Sequence, residues 1–313
     1  MARFNYGGQA LIEGVLMRGR DAIAVAFRHP DGRIVWASEP LNSGPHGWRL
    51  AKAPLVRGLI VLYETLVVGT RWLIRSASLQ ASGDGGAELG KGSVALMLLI
   101  TLVLGVGVFF LIPLWVASVT TANVQQGWVQ HLVEGLVRVA IFLGYLALIS
   151  RTPDIRRVFE YHGAEHKTIH ALEHGDPLTV DAVQRYPTAH PRCGTEFLVV
   201  VLLLSILLFG FLGRDNVALM VGGRLILIPV IAALGYELLR LGARFRSNPI
   251  VKVVMAPGIL VQMITTKQPS DEQVQVAIVS MEQALVADGE TVPSGSETPA
   301  RDPLELGAAE AAA

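Results

Sequence analysis

Val94 to Ser118 reads VALMLLITLVLGVGVFFLIPLWVAS, and no charged residue occurs between Lys91 and Glu134. A bilayer core asks for roughly 20 consecutive apolar residues in a helix, so this stretch predicts a membrane span and sets the fold class. Composition agrees. Of 313 residues, 51% are hydrophobic and 17% charged, and the mean hydropathy is +0.47, against about 25% charged in an ordinary soluble domain. The net charge of zero gives no electrostatic footprint for nucleic acid.

Working outward, three more spans are expected. The second, about 131–150, contains Glu134 and Arg138 and then an uncharged run to Ser150; the third, Phe197 to Gly213, is uncharged throughout; the fourth, about 224–241, is charge-free from Leu225 to Tyr236. Basic residues orient them. The 119–130 loop has no Lys or Arg, whereas the 150–195 loop has Arg151, Arg156, Arg157, Lys167, Arg185 and Arg192. Arg214 and Arg224 flank the next connection, and Arg240, Arg244, Arg246 and Lys252 follow the fourth span. No signal peptide is visible in MARFNYGGQALIEG. The expectation is a multi-pass protein of the plasma (inner) membrane with both termini and the middle loop cytoplasmic.

The flanks are expected as follows. Residues 1–50 hold a glycine-rich segment and a β-hairpin, AIAVAFRHPDGRIVWASE, turning at His29-Pro30-Asp31-Gly32. Residues 51–80 form an interfacial amphipathic helix, interrupted by Arg57, Glu64, Arg71 and Arg75. The core runs over 92–250, with its cytoplasmic loop at 151–195. Residues 251–287 hold a second interfacial segment, broken at Pro257-Gly258, and an amphipathic helix capped by Ser270. The tail 288–313, rich in Gly, Ser, Thr, Pro, Glu and Ala, reads as disordered. The fold class is thus mainly α: about four transmembrane helices, flanking interfacial helices and a small N-terminal hairpin.

The chemistry concentrates in the middle loop. His162, His166, His170 and His174 follow one another at four-residue spacing, three such pairs where eight scattered histidines would give well under one. Thr152-Pro153 starts a helix there and Gly175 and Pro177 stop it. On that helix Ile155, Phe159, His162, His166, Ile169, His170 and Glu173 share one stripe, with His174 at its edge. Histidines at i, i+4 can present two imidazoles to one ion. His162 to His166 also spells HGAEH, the H-x-x-E-H order in which Glu165 would be the general base of a metal-dependent hydrolase. Three histidines cover about 12 Å of helix axis, too far for one ion, so the set points to one pair with a distant ligand or to two metals. Glu173 lies on the same face, and HPRCGT offers His190 and the single cysteine, Cys193, which is a buried thiol, a reactive thiol or a ligand. The N-terminal glycines lack the lysine of a P-loop.

With these motifs the chain resembles the YqhQ-like family of bacterial membrane proteins, a domain of unknown function described as predicted metal-dependent enzymes. The resemblance rests on GGQALIEGVLMRG (Gly7 to Gly19), PLVRGL (Pro54 to Leu59), FEYHGAEHKTIHALEHG (Phe159 to Gly175), HPRCGTEFL (His190 to Leu198) and LVQMITTKQPSDEQVQVAI (Leu260 to Ile278). It implies a metal and an enzyme without a reaction, and its first block adds Glu13 as a secondary site candidate.

Three functions are expected in order. The first is a divalent-metal hydrolase, zinc the leading ion, in which His162 and His166 bind, His170, Glu173, His190 or Cys193 complete the site, and Glu165 activates water. Its substrate would be a peptide or a lipid head group at the cytoplasmic leaflet. The second is an assembly protein with a structural metal, and the third a metal transporter, which the few polar groups inside the spans disfavour. The lipid bilayer is the expected partner; the sequence sets no oligomeric state.

Overall fold

A computed structural model describes residues 6–41, 53–82, 90–123, 127–191, 193–212, 217–245 and 248–304. Arg192, Arg214 and Arg246, counted in the charge asymmetry above, lie outside the described residues, as do 83–89 and the tail beyond 304.

The N-terminal region holds more sheet than the expected hairpin. Strands β1 (Gly7–Leu11), β2 (Gly14–Arg18), β3 (Ala22–Arg28) and β4 (Ile34–Pro40) form an antiparallel meander. The expected hairpin is β3–β4, with Arg28 opposite Ile34 and the turn closed by the Gly32 amide donating to the His29 carbonyl at 2.8 Å. Side chains alternate across the sheet, and both faces are covered. Leu11, Leu16, Ile23, Val25 and Phe27 meet Trp72 and Leu79 of α1 (Val56–Ser82). Val15, Met17, Ala24 and Ala26 meet the helices α5 (Pro153–His174) and α10 (Asp271–Ala287). A sheet covered on both sides reads as an unbroken apolar run, which is what AIAVAF is.

Of the charges that interrupt α1, Glu64 forms an ion pair with Arg18, Arg71 with Glu39 and Arg57 with Glu237. The helix therefore lies on the sheet at one end and runs beside α8 (Val217–Arg244) at the other.

Helix α2 (Lys91–Val106), a π-turn at Gly107–Leu111 and α3 (Ile112–Thr120) make one continuous rod. That rod (Gly92–Thr120), α4 (Gly127–Ile149) and the Leu219–Arg244 part of α8 are three helices long and apolar enough to cross a membrane. Leu102, Leu104, Leu148 and Ile226 are among the large apolar side chains they leave exposed. The third expected span is shorter than its sequence suggested. Helix α7 (Gly194–Phe209) has 16 residues, about 24 Å at 1.5 Å per residue against a hydrocarbon core of about 30 Å. It starts before Phe197 and ends at Phe209, so among the described residues three helices, without α7, are long and apolar enough to cross a membrane.

Three further expectations are corrected. Helix α9 (Pro249–Thr265) runs unbroken through Pro257-Gly258, because a proline removes one donor but leaves the flanking turns intact. Helix α10 starts at Ser270 with a full capping box, as read, but Val274 and every residue from Val276 to Leu285 is buried. It is a central helix rather than an amphipathic one. The tail to 304 is structured. Asp288 accepts from the Tyr6 hydroxyl and the Arg20 and Asp21 amides at 2.7–2.9 Å, and β5 (Arg301–Pro303) adds in parallel to β4, with Arg301 paired to Glu282.

Candidate functional site

Helix α5 begins at Pro153 and ends at Gly175, which takes the left-handed φ of 77°. From Tyr161 to Leu172 it is buried almost all round, between the sheet, α10 and the segment that follows short helix α6 (Val180–Gln184). That segment, 186–193, is held from two sides. The Lys167 ammonium donates to the Gln184 and Tyr186 carbonyls at 2.9 and 2.6 Å. The Gln262 amide of α9 makes both a donor and an acceptor bond to the His190 backbone, at 3.0 and 2.9 Å.

This docking gathers all six expected ligands into two sets. His162, His166 and Cys193 form one, and His170, Glu173 and His190 the other; within each, one ligand atom per residue lies within 4.8 Å of the others. The sets adjoin, since the His166 and His190 ring centres are 5.7 Å apart; within the second set those of His170 and His190 are 4.5 Å apart. A tetrahedral zinc, with bonds of about 2.0–2.3 Å, places its ligand atoms roughly 3.5 Å apart, so small side-chain movements close either set on an ion.

The histidine tautomers are fixed by acceptors. Nδ1 of His162 faces the Thr265 carbonyl at 2.8 Å, and Nδ1 of His166 faces the Thr188 carbonyl at 2.6 Å. A carbonyl only accepts, so each Nδ1 carries the proton and each Nε2 keeps its lone pair. Nε2 of His162 lies 3.1 Å from the Cys193 thiol, while Nε2 of His166 is buried without a hydrogen bond of ordinary geometry. His170 shows the mirror arrangement: Nε2 faces the Ala189 carbonyl at 2.9 Å, leaving Nδ1 as the lone pair. His190 Nε2 lies 3.3 Å from Glu173. A ring N–H tied to a backbone carbonyl is the usual outer support of a metal-binding imidazole. Cys193 caps α7, its sulfur accepting from the Thr195 amide at 3.4 Å.

Two expected residues sit apart from both sets. Glu165, buried, packs on β1 at Gly8, where a Cβ would stand 2.4 Å from the Leu16 carbonyl and 3.0 Å from the Glu165 carboxyl carbon. Only glycine lets the strand pass so close. Burial pushes the Glu165 carboxyl above its ordinary value, against the pull of His162, His190 and the Gly8 amide. Glu13, the secondary candidate, pairs with Arg157 and accepts from the Tyr161 hydroxyl at 3.1 Å. It anchors α5 to the β1–β2 turn and joins neither ligand set among the described residues. His174 bonds the His170 carbonyl at 2.8 Å and lies against Tyr186.

The supports that sequence reasoning passed over are Gly8, Thr188, Gln262 and Thr265. Gly8 and the last two fall in blocks that carry the family resemblance, Gly7 to Gly19 and Leu260 to Ile278; that was their signal.

Burial holds His166 and His170 below the ordinary imidazole value, His170 down to about 4 with the Ala189 carbonyl pulling the other way. Both are neutral at physiological pH, the form that binds metal. An unfolded chain protonates His170 near 6.5, so stability is lost as pH falls from there towards 4. For the metal-free protein in detergent the expected loss from His170 is on the order of 1–2 kcal/mol after allowance for its partial exposure. A thermal midpoint that stays flat from pH 7 to 4.5 would show that the pocket does not hold this ring neutral.

Residues 53–287 match the family described as "Protein of unknown function (DUF1385)". The match takes in all six ligands and begins beyond β4. The chain is also 36% identical over 292 residues to "Uncharacterized protein YqhQ" of Bacillus subtilis (strain 168), which covers 90% of this chain and 92% of that one. No solved structure matches. Neither name states an activity. With most of its length inside the family match and a near full-length relative beside it, the chain belongs to the DUF1385 family.

Proposed function

We propose that the protein is a membrane-embedded, metal-dependent hydrolase of zinc type, with its site at the cytoplasmic face of the plasma membrane. The observation that carries this reading is the pairing of two adjacent three-ligand sets whose imidazole lone pairs are pre-set by backbone carbonyls. Three protein ligands leave a position open, which is the pattern of catalytic rather than structural zinc. His162, His166 and Cys193 would hold one ion, and His170, Glu173 and His190 a second. Bound there, the metal supplies Lewis acidity. Glu165, outside both ligand sets but within electrostatic reach of His162 and His190 and made more basic by burial, is the group to take the proton from attacking water. The substrate is a peptide or a lipid head group reaching the site from the adjoining leaflet.

Chain geometry supports the membrane arrangement. β1 and β5 belong to one sheet, so the chain leaves and returns on the same side and crosses an even number of times. Since α5 and α10 also pack on that sheet, the rod and α4 make one excursion and α7 with α8 the other. Short α7 is then the fourth crossing, in a locally thinned bilayer. The basic 150–195 loop supports a cytoplasmic setting for the sheet and the ligands. All six ligands lie outside the three long spans, which disfavours transport.

One observation favours a second reading, a structural metal that ties the 186–193 segment to α5: His166, His190 and Cys193 are 1%, 3% and 6% exposed. Glu165→Gln separates the two. The hydrolase reading expects the variant to keep its metal, by elemental analysis of purified protein, and to fail in rescuing a deletion strain. Rescue with full metal content defeats hydrolysis and leaves the structural centre; wild-type protein without stoichiometric metal defeats both.

A further inference from the structure

The bundle holds a second assembly of buried charges, far along the spans from the histidines. Glu134 and Arg138 of α4 and Arg224 of α8 are 2%, 4% and 7% exposed. Glu134 accepts from Arg138 at 2.6 Å through one oxygen and from Arg224 at 2.8 Å through the other. Arg138 stands eleven residues from either end of α4, about 16 Å of helix each way, which is the middle of a span.

The rod is built around this arginine. In a regular helix the Phe109 carbonyl would accept from residue 113, which is proline and has no N–H. The π-turn at Gly107–Leu111 accommodates that break, and Arg138 Nε donates to the orphaned carbonyl at 3.0 Å. Its remaining nitrogen reaches the Ser205 hydroxyl at 3.4 Å, and its guanidinium lies over the rings of Phe110 and Phe209 at 5.3 and 5.6 Å. Arg224 also stands over Phe209, at 5.1 Å, but its Nε is buried with no hydrogen-bond partner.

Among the described residues, charge does not balance here. Two guanidiniums share one carboxylate. The rod carries no charge beyond Lys91, α7 none beyond Glu196 at its opposite end, and α8 none between Arg224 and Glu237. The other titratable group nearby, His131, faces the Leu212 carbonyl at 3.2 Å and brings no negative charge. An excess positive charge buried among spans is expensive, and such groups mark ligand sites or pathways.

We propose that Arg138 and Arg224 bind one monoanion in the interior of the bundle, beside the unpartnered Arg224 Nε. A single negative charge balances the assembly, whereas a dianion would reverse it. The occupant is a free halide or the phosphodiester of a lipid entering from the end of the bundle where α7 and α8 meet.

The test uses full-length protein purified in detergent. Thermal midpoints are measured in sodium chloride or bromide and in sodium gluconate at equal ionic strength, gluconate being too bulky for a closed site. Native mass spectrometry after delipidation reports retained phospholipid. A midpoint several degrees higher in halide, rising with the logarithm of its concentration, together with loss of that dependence in Arg224→Gln, supports a free anion. One phospholipid kept by the wild type and released by Arg224→Gln supports the lipid. Equal midpoints with no retained lipid overturn the proposal, and so does halide dependence that survives Arg224→Gln. Should that variant fail to fold, Arg224→Lys is expected to keep the dependence, and the wild-type comparison alone still overturns the proposal if both signals are absent.

Discussion

His166→Ala is expected to lower the metal content of the purified protein from two ions per chain to one or fewer while leaving the spans inserted. His166 is 1% exposed, contributes to the set with His162 and Cys193, and abuts His190 of the second set. Disturbing only the outer support of a metal-binding histidine costs 10- to 100-fold in affinity, and deleting the ring itself costs more. A second, smaller effect accompanies it: the Thr188 carbonyl loses its 2.6 Å partner, and an unsatisfied buried acceptor costs about 1–3 kcal/mol. His174→Ala is the matched control, since that ring is exposed and belongs to neither set. Elemental analysis decides. Wild-type metal content in His166→Ala would mean that the cluster is a hydrogen-bonded histidine core and not a metal centre.

Gly163→Ala, inside the HGAEH motif, is expected to destabilise the protein by about 3 kcal/mol or more, at the upper end of overpacking effects. A Cβ at Gly163 would stand 2.0 Å from the Lys267 carbonyl oxygen and 3.3 Å from Thr188. The first neighbour is backbone and cannot swing away: the Lys267 amide donates to the Phe159 carbonyl at 2.9 Å, which pins the α9–α10 linker onto α5. Helix propensity pulls the other way, favouring alanine by roughly 1 kcal/mol, so the sign of the change measures the contact. Gly144→Ala in α4, with open space at its Cβ, isolates the propensity gain. A thermal midpoint for Gly163→Ala equal to or above wild type would contradict the close approach. The glycine of H-G-A-E-H therefore has a packing reason of its own, separate from the chemistry of its neighbours.

The legibility of this fold tracks how local each signal is. The β3–β4 hairpin shows because His29-Pro30-Asp31-Gly32 sits between strand-forming runs. β1 and β2 hide in GGQALIEGVLMRG, where glycines that permit close packing look like loop, and β5 is three residues of a low-complexity tail held by Arg301–Glu282. Span strength was misjudged in both directions. Phe197 to Gly213 is free of charge yet forms a short helix, while α4 and α8 look weakened by Glu134, Arg138 and Arg224. Those three charges pair across helices, two guanidiniums on one carboxylate, and no single segment carries that information. In the site, four-residue spacing exposed His162, His166 and His170, and HPRCGT supplied His190 and Cys193. The division into two sets follows from where Gln262 and Thr188 hold the 186–193 segment, which is a tertiary fact.

The joining of β4 to β5 has a consequence for how the molecule is made. Residues 7–40 leave the ribosome first, yet the sheet they form gains its last strand only when residues 301–303 arrive, and the helix covering its inner face, α10, emerges only shortly before. Until α5 and then α10 are made, the inner apolar face of the first four strands stands without the helices that cover it. Glu165 meets Gly8 across that same face, so the half of the molecule that holds the histidines closes around them as a final step. Chains stalled or cleaved before α10 would be protease-sensitive at the N-terminus and lack a finished pocket.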